Sequence, residues 1–133
     1  MPKKKKVYKI SMPTYFVMGK KNKKYYINLN QFMNWYYIDR NNIKVKYMNV
    51  VEDLLKGVVM STPIKLTFVY YARDNRVRDR ANACCVHEKF FCDGLVQAGC
   101  IEDDNDKFII ETKYLSGGVD RANPRMEIIV EEV

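Results

Sequence analysis

The chain has 133 residues, of which 47% are hydrophobic and 29% charged, and its formal net charge is +7. This length and composition predict a single domain over residues 1–133 and exclude a disordered or low-complexity protein. No apolar run approaches the roughly 20 residues of a membrane span, and the basic N-terminus is followed by polar residues rather than by a secretory signal core. We therefore expect a cytoplasmic protein with no membrane contact.

The charge is unevenly distributed along the chain. Residues 1–60 carry a net charge of +10 and residues 61–133 a net charge of −3. A basic region beside an acidic one suits an enzyme that holds phosphates with one part and a cation with the other. The alternative is that these charges serve only solubility.

The first half of the chain predicts two strands and one helix. Residues 7–10 alternate between apolar and polar like a strand, which Pro13 ends. A basic turn covers residues 20–24, and residues 25–27 form a short second strand. Apolar residues at helical spacing predict a helix from Gln31 to Lys56, with a kink or interruption in the polar segment 39–42.

The second half predicts three strands around a second helix. The strands are predicted at residues 64–71, 107–114 and 126–130. The helix should run from about Asp79 to Ala98, with Gly99 as its stop, and residues 116–118 should form a flexible loop. The order β-β-α-β-α-β-β predicts an α+β fold with a mixed, mainly antiparallel sheet and two helices.

The cysteines fit a reduced core better than a metal site. They lie close together in the sequence, at Cys84, Cys85, Cys92 and Cys100. None forms a Cys-x-x-Cys pair and His87 is the only histidine, so a zinc site is not expected. We interpret the cysteines as small core residues of a protein in a reducing compartment.

Polar residues are concentrated on one face of the second predicted helix. Because a helix turns by roughly 100° per residue, Asn82, Lys89 and Asp93 fall on the same side as Asp79. Asp103-Asp104 follows this helix, just before a strand. Carboxylates from a helix start and a strand start can meet at one end of a sheet, where they would hold Mg²⁺ for phosphodiester chemistry. A nearby lysine would neutralise the developing charge.

A purely structural interpretation of the same residues stays open. Asp79 would then be a helix N-cap, Lys89 and Asp93 a surface pair one helical turn apart, and the segment 103–105 a turn. Spacing alone does not decide between the two interpretations.

Three short motifs carry a family resemblance. They are Arg78-Asp79-x-x-Asn82, Lys89-Phe90-Phe91-Cys92-Asp93-Gly94-Leu95 and Gly99-x-Ile101-Glu102-Asp103-Asp104-Asn105. In this order they resemble the RusA-type Holliday junction resolvases of phages and prophages, which show Arg-Asp-x-Asp-Asn, Lys-x-x-x-Asp-Ala-Leu and an Asp-Asp pair after a glycine. From Lys89 to Asp104 the spacing matches without gaps. The resemblance implies a homodimer that binds branched DNA and cuts it with Mg²⁺ or Mn²⁺.

The resemblance also implies roles for individual residues. The first family aspartate falls on Asp79, the family lysine on Lys89 and the later catalytic aspartate on Asp104. Asp79 and Asp104 would then bind the metal ion, and Asp103 or Glu88 would assist them.

The chain departs from the family at one ligand position. The second aspartate of the first motif falls on Ala81, and the gap from Asp79 to Lys89 is about one helical turn longer than in the family. Glu88 is the candidate substitute, and it would serve only if Asp79 lies outside the helix proper. Asp93 points better, but it has a quieter role in the family pattern.

Basic residues on both sides of the motifs are candidates for holding the DNA backbone. They are the N-terminal lysines, Lys20, Lys21, Lys23, Lys24, Arg73, Arg76, Arg78 and Arg80. The tyrosines beside the lysines either stack on unpaired bases or belong to a half-buried core. These tyrosines are Tyr25, Tyr26, Tyr36 and Tyr37.

The leading hypothesis is therefore a metal-dependent, structure-selective endonuclease that cuts branched DNA such as Holliday junctions in a bacterial or phage-infected cell. The first alternative is a branched-DNA-binding protein of the same fold that does not cut. The second is a protein–protein adaptor whose charges serve only solubility.

Overall fold

The computed structural model of the protein describes residues 4–133, so Lys3 of the N-terminal lysine run lies outside the described part. The described strands are β1 (Val7–Met12), β2 (Tyr15–Met18), β3 (Lys23–Tyr26), β4 (Ile64–Ala72), β5 (Ile109–Val119) and β6 (Arg125–Glu132). The helices are α1 (Leu29–Asn34), α2 (Tyr37–Leu54) and α3 (Arg80–Gln97). Within these residues, no helix is both long enough and apolar enough to cross a membrane.

The main sheet has four strands in the order β1-β6-β4-β5. β6 pairs antiparallel with both β1 and β4, whereas β4 and β5 run parallel. Phe68 at the centre of β4 is thus opposite Ile128 of β6 and Tyr114 of β5. The predicted fold class, α+β with a mixed and mainly antiparallel sheet, is confirmed.

The core lies between this sheet and the two long helices. Alternate residues of β4 and β6 are fully buried, as the two-residue period of a strand requires, and they are Ile64, Leu66, Phe68, Met126, Ile128 and Val130. From α3, Phe90, Phe91 and Leu95 are buried. Three of the cysteines, Cys84, Cys92 and Cys100, belong to the same core, which confirms their interpretation as small core residues.

The helical segment of the first half divides in two, but not where the sequence predicted. The break falls at Trp35 and Tyr36, whose backbones are extended, and the polar segment 39–42 lies inside α2. Arg40 holds the two pieces together, since its guanidinium donates a hydrogen bond to the Phe32 carbonyl at 2.9 Å and lies over the Phe32 ring. The polar residues 39–42, of which Asn41 and Asn42 are exposed and Asp39 and Arg40 half-buried, therefore do not interrupt the helix.

The strands β2 and β3 form a β-hairpin, which is a two-stranded sheet separate from the main one. β2 was not predicted, and β3 begins two residues before the predicted short strand. The turn between them contains Gly19 and Asn22 with positive φ angles of 84° and 51°, a conformation that glycine and asparagine adopt most readily. The exposed lysines around this turn are therefore carried on a hairpin.

The prediction of a flexible loop at residues 116–118 is wrong, because these residues belong to β5. Gly117 lies against the ring of Tyr71, where an added Cβ would be 2.7 Å from the ring carbons. The Arg125 guanidinium covers the same ring at 3.9 Å from its centroid. Glycine here makes room for an aromatic ring on the neighbouring strand rather than providing mobility.

Candidate active site

The N-terminus of α3 is closed by Asp79. Its carboxylate accepts hydrogen bonds from the backbone N–H groups of Ala81 at 2.9 Å and Asn82 at 3.4 Å, and its own backbone is extended. Short side chains with an acceptor oxygen are preferred at this position because the first N–H groups of a helix lack partners within it. The structure thus gives Asp79 the capping role.

The C-terminus of α3 turns the chain back alongside the helix. Gly99 has a φ of +76°, and the next residue returns a hydrogen bond from Cys100 N to Leu95 O at 2.9 Å. Cys100 and Ile101 are buried and fix this turn in the core. The segment 102–108, with its aspartates, therefore passes the last turns of α3 before β5 begins.

A cleft of about 450 Å³ opens where this returning segment passes α3. We call it the acidic cleft, and its charged lining residues are Lys44, Glu88, Lys89, Asp93, Asp104 and Asp106. α2 contributes the first, α3 the next three and the segment before β5 the last two. Four carboxylates and two amines from three parts of the chain thus share one concave surface.

Asp79 is not among the residues that line the acidic cleft. It precedes Lys89 by ten residues along α3, which is roughly 15 Å at the rise of an α-helix. The structure therefore does not bring Asp79 together with Asp104 in one metal site, because a helix cap cannot reach the far half of the same helix. Ala81 also lies at this end of α3.

The surroundings of Asp104 in the cleft disfavour its charged form. Partial desolvation, its contact with Asp103 and the nearby charge of Asp93 raise its pKa above the usual aspartate value. Asp93 is half-buried and makes an ion pair with Lys44, Nζ to Oδ2 2.9 Å. A carboxylate whose charge is disfavoured by a neighbouring carboxylate is stabilised in its charged form by a bound cation.

Glu88 and Lys89 occupy neighbouring positions at the edge of the cleft. The Tyr114 hydroxyl of β5 donates a hydrogen bond to Glu88 Oε1, and burial together with this carboxylate raises the pKa of Tyr114. The Lys89 amine is exposed and lies 5.7 Å from the centroid of the Phe32 ring. Glu88 is thus held in place, while the charge of Lys89 faces solvent at the cleft.

Asp103 has a local structural role. Its carboxylate accepts hydrogen bonds from Asp104 N at 2.7 Å and from Asn105 Nδ2 at 2.9 Å, and these bonds lower its pKa. It does not line the cleft. The predicted metal ligands thus divide: Asp104 and Glu88 line the cleft, whereas Asp79 and Asp103 cap a helix and a turn.

The carboxylates of the cleft suit a hard divalent ion with an incomplete protein shell. Among residues 4–133, no three His, Cys, Asp or Glu side chains are grouped so as to hold a metal ion. Mg²⁺ usually takes only one or two carboxylates and completes its shell with waters and substrate phosphates. Asp104, whose pKa the charge of Asp93 raises, and Asp93 itself fit this requirement.

The predicted DNA-binding residues lie mainly at the other end of α3. Lys20, Lys21, Lys23 and Lys24 are exposed on the β2–β3 hairpin, and Arg73, Arg76 and Arg80 are exposed around the loop before α3. Arg78 is half-buried, because its guanidinium donates a 2.6 Å hydrogen bond to Asp74. Arg78 therefore fixes the loop as well as adding charge.

Three residues of the site were not predicted from the sequence. Lys44 reaches the cleft from α2, and Tyr114 reaches Glu88 from β5. Neither belongs to a local motif, so only the packing of α2 and β5 against α3 reveals them. Asp106 also lines the cleft, and its position two residues after Asp104 was the one available signal.

In comparisons with known proteins, no family model matches this chain and no curated protein matches it. The resemblance to the RusA-type resolvases therefore stays a prediction.

Proposed function

We propose that this protein is a metal-dependent endonuclease that acts on branched DNA, and that the acidic cleft is its active site. The observation that carries the proposal is the meeting of Asp104, Asp93, Glu88 and Lys89 on one concave surface. Metal-assisted phosphodiester hydrolysis uses carboxylates that hold a cation and a positive group near the phosphate, and the cleft has carboxylates and a lysine for these roles.

Asp104 and Asp93 would hold Mg²⁺ or Mn²⁺. When bound, such an ion lowers the pKa of a coordinated water and stabilises negative charge on the phosphate. Lys89, exposed at the cleft edge, would bind a non-bridging phosphate oxygen. Glu88 would keep its hydrogen bond from the Tyr114 hydroxyl and would help to orient the substrate in the cleft.

The basic residues at the other end of α3 support binding of the DNA backbone. The hairpin lysines and Arg73, Arg76 and Arg80 are exposed, and each contacted phosphate makes DNA binding more salt-dependent. We propose a homodimer, since resolving a four-way junction takes two symmetric cuts and a two-fold dimer supplies two equivalent sites. The proposed setting is the cytoplasm of a bacterial or phage-infected cell.

A second candidate is a protein that binds branched DNA without cutting it. The position of Asp79 favours it, because this residue caps α3 instead of joining Asp104, and Ala81 offers no replacement ligand. A protein–protein adaptor is the third candidate, and DNA binding that falls with rising salt would exclude it.

The deciding experiment measures cutting of a synthetic four-way junction and of a linear duplex, with Mg²⁺ and with EDTA. The native chain should cut the junction only with the metal ion. Asp104→Asn should lower the rate by orders of magnitude while retaining DNA binding, since the metal supplies several kcal/mol of transition-state stabilisation. Asp103→Asn is the matched control, because asparagine can still accept the hydrogen bond from Asp104 N and the residue lies outside the cleft lining.

The outcomes separate the candidates. Junction-selective binding with no metal-dependent cutting would establish the binding protein. Cutting that survives Asp104→Asn would remove the acidic cleft as the active site. Equal, salt-insensitive binding to junction and duplex would leave only the adaptor.

A further inference from the structure

A second cavity borders the other half of α3. Its volume is about 500 Å³, within the range of roughly 300–1,000 Å³ typical of small-ligand pockets. We call it the tyrosine pocket, and its lining residues include Tyr15, Lys24, Tyr26, Arg73, Arg78 and Asn82. It adjoins the β2–β3 hairpin and the loop before α3.

The pocket presents aromatic rings already flanked by cations. The rings of Tyr15 and Tyr26 have centroids 5.1 Å apart and are inclined at 45°. Lys24 Nζ lies 5.1 Å from the Tyr15 centroid, and the Arg73 guanidinium lies 5.4 Å from that of Tyr26. A flat aromatic ligand could therefore contact a ring face while an attached anion meets a cation.

Three amide side chains of the lining use their carbonyl oxygens for hydrogen bonds within the protein. Asn28, Gln31 and Asn82 each use the side-chain carbonyl oxygen to accept a backbone N–H, from Gln31, Tyr26 and Asn30 respectively, at 2.9–3.2 Å. What each can still offer is the amide NH₂ group, which only donates. Such a lining favours a ligand rich in acceptor oxygens and nitrogens.

The charge of the lining has one sign. Lys24, Arg73 and Arg78 line the pocket, and none of the described residues that line it is acidic. Asp74 pairs with Arg73 at 3.6 Å and with Arg78 at 2.6 Å, but it does not line the pocket. The pocket is therefore suited to an anion that carries a flat ring with acceptor groups, and a nucleotide has these three properties.

We propose that the tyrosine pocket binds one unpaired nucleotide of a nucleic-acid strand, with its base against Tyr15 and Tyr26 and its phosphate at Lys24 and Arg73. This proposal rests on the nucleic-acid binding proposed above but not on cutting. Because the pocket borders the N-terminal half of α3 and the acidic cleft the C-terminal half, the two sites bind different parts of one substrate. Recognition of an extrahelical base would then explain a preference for irregular DNA.

The test uses the full chain in EDTA, so that the absence of cutting cannot affect the result. Fluorescence anisotropy compares three duplexes of one sequence: fully paired, with a single-nucleotide bulge, and with an abasic bulge. The base-containing bulge should bind at least about fivefold more tightly than the abasic one, the lower end of what stacking of one base contributes. Equal affinity for the two bulges would overturn the proposal.

Variants assign the effect to the pocket. Tyr15→Leu should abolish the preference for the base-containing bulge, whereas Tyr15→Phe should keep it, because phenylalanine retains the ring. Tyr8→Leu is the matched control, since Tyr8 is a half-buried tyrosine of β1 that does not line the pocket. An unchanged preference in Tyr15→Leu, or its loss in Tyr8→Leu, would contradict the assignment.

Competition distinguishes a strand from a free nucleotide and from a simple anion. Thymidine monophosphate should displace the bulged duplex more effectively than inorganic phosphate does. Equal displacement by the two would show an anion site and overturn the role of the base. Binding of the free nucleotide without any preference for a bulge would show a mononucleotide site instead and overturn the proposal for a strand.

Discussion

Lys44 Nζ lies 2.9 Å from Asp93 Oδ2, so a cation from α2 already neutralises one carboxylate of the acidic cleft. The two side chains are about one third exposed, 36% for Lys44 and 31% for Asp93. An ion pair this accessible contributes little to stability. Its main effect is to make the cleft less negative where a metal ion would bind.

The first prediction follows from that ion pair. Lys44→Met keeps the aliphatic stem but removes the cation, so Mg²⁺ should bind more tightly by roughly thirtyfold, about the effect of one unit charge on a divalent ion at 4 Å in a watery environment. The free energy of unfolding should change by less than about 1 kcal/mol. Isothermal titration calorimetry measures the affinity, and Lys46→Met, on the same helix but outside the cleft, is the control. Weaker Mg²⁺ binding in Lys44→Met would contradict the metal site.

A second prediction concerns the residue that the sequence placed in the active site. Asp79→Ala removes the cap of α3 and should lower the free energy of unfolding by about 1 kcal/mol. Asp79→Asn should be nearly neutral, because asparagine caps as well as aspartate. Neither variant should reduce metal-dependent cutting by more than its effect on folding, as urea unfolding and a junction-cutting assay would show. A large loss of cutting in Asp79→Asn at unchanged stability would show that Asp79 belongs to the active site.

The position of Asp79 at the helix cap, outside the acidic cleft, shows what the sequence could and could not predict. Hydrophobic periodicity located β4, α3 and the glycine that ends α3, because each depends on residues close in sequence. Asp104, Glu88 and Lys89 belong to segments joined by a tight turn, so their proximity could be foreseen. Whether Asp79 joined them depended on how many helical turns intervene, and the extra turn before Lys89 moved it away.

Contacts between distant segments were not predictable in the same way. Lys44 and Tyr114 enter the site through the packing of α2 and β5 on α3, which no local pattern encodes. The composition of residues 116–118 predicts a loop. They belong to β5 instead, and Gly117 leaves space for the ring of Tyr71 on the neighbouring strand. In each of these cases tertiary contacts outweighed the local signal.

The third prediction concerns the contact between α2 and α3 at Gly94. A Cβ added at Gly94 would lie 3.0 Å from Val51 Cβ, and Val51 is fully buried and β-branched, so it has little freedom to move. Gly94→Ala should therefore lower the free energy of unfolding by about 1 kcal/mol, because overpacking of roughly 1–3 kcal/mol exceeds the helix-propensity gain.

A double-mutant cycle tests the cause. Val51→Ala alone should be destabilising because it leaves a cavity, but Gly94→Ala should become stabilising in that background because its methyl group then has space. Urea unfolding of the four proteins gives the coupling energy. Additive effects would show that the two residues do not constrain each other.

The last prediction concerns acid stability and the buried pair of Tyr47 and His87. Tyr47 Oη and His87 Nδ1 share a 2.7 Å hydrogen bond, and His87 is only 1% exposed. Burial lowers the pKa of His87 to about 3, whereas an unfolded histidine titrates near 6.5. Below that pH the unfolded chain takes up a proton that the folded chain does not, so stability is full above about pH 6.5 and declines as the pH falls towards 3. Between about pH 7 and pH 5, protonation of this histidine in the unfolded chain should lower the free energy of unfolding by about 2 kcal/mol.

Urea unfolding at the two pH values measures this decrease. His87→Gln keeps a hydrogen-bonding group beside Tyr47 but cannot titrate, so its free energy of unfolding should fall by about 2 kcal/mol less than that of the native chain. Since His87 is the only histidine in the chain, its ring signals in an NMR titration report the same property directly. A titration midpoint near 6.5 in the folded protein would show that the ring is accessible to water and would contradict its place in the core.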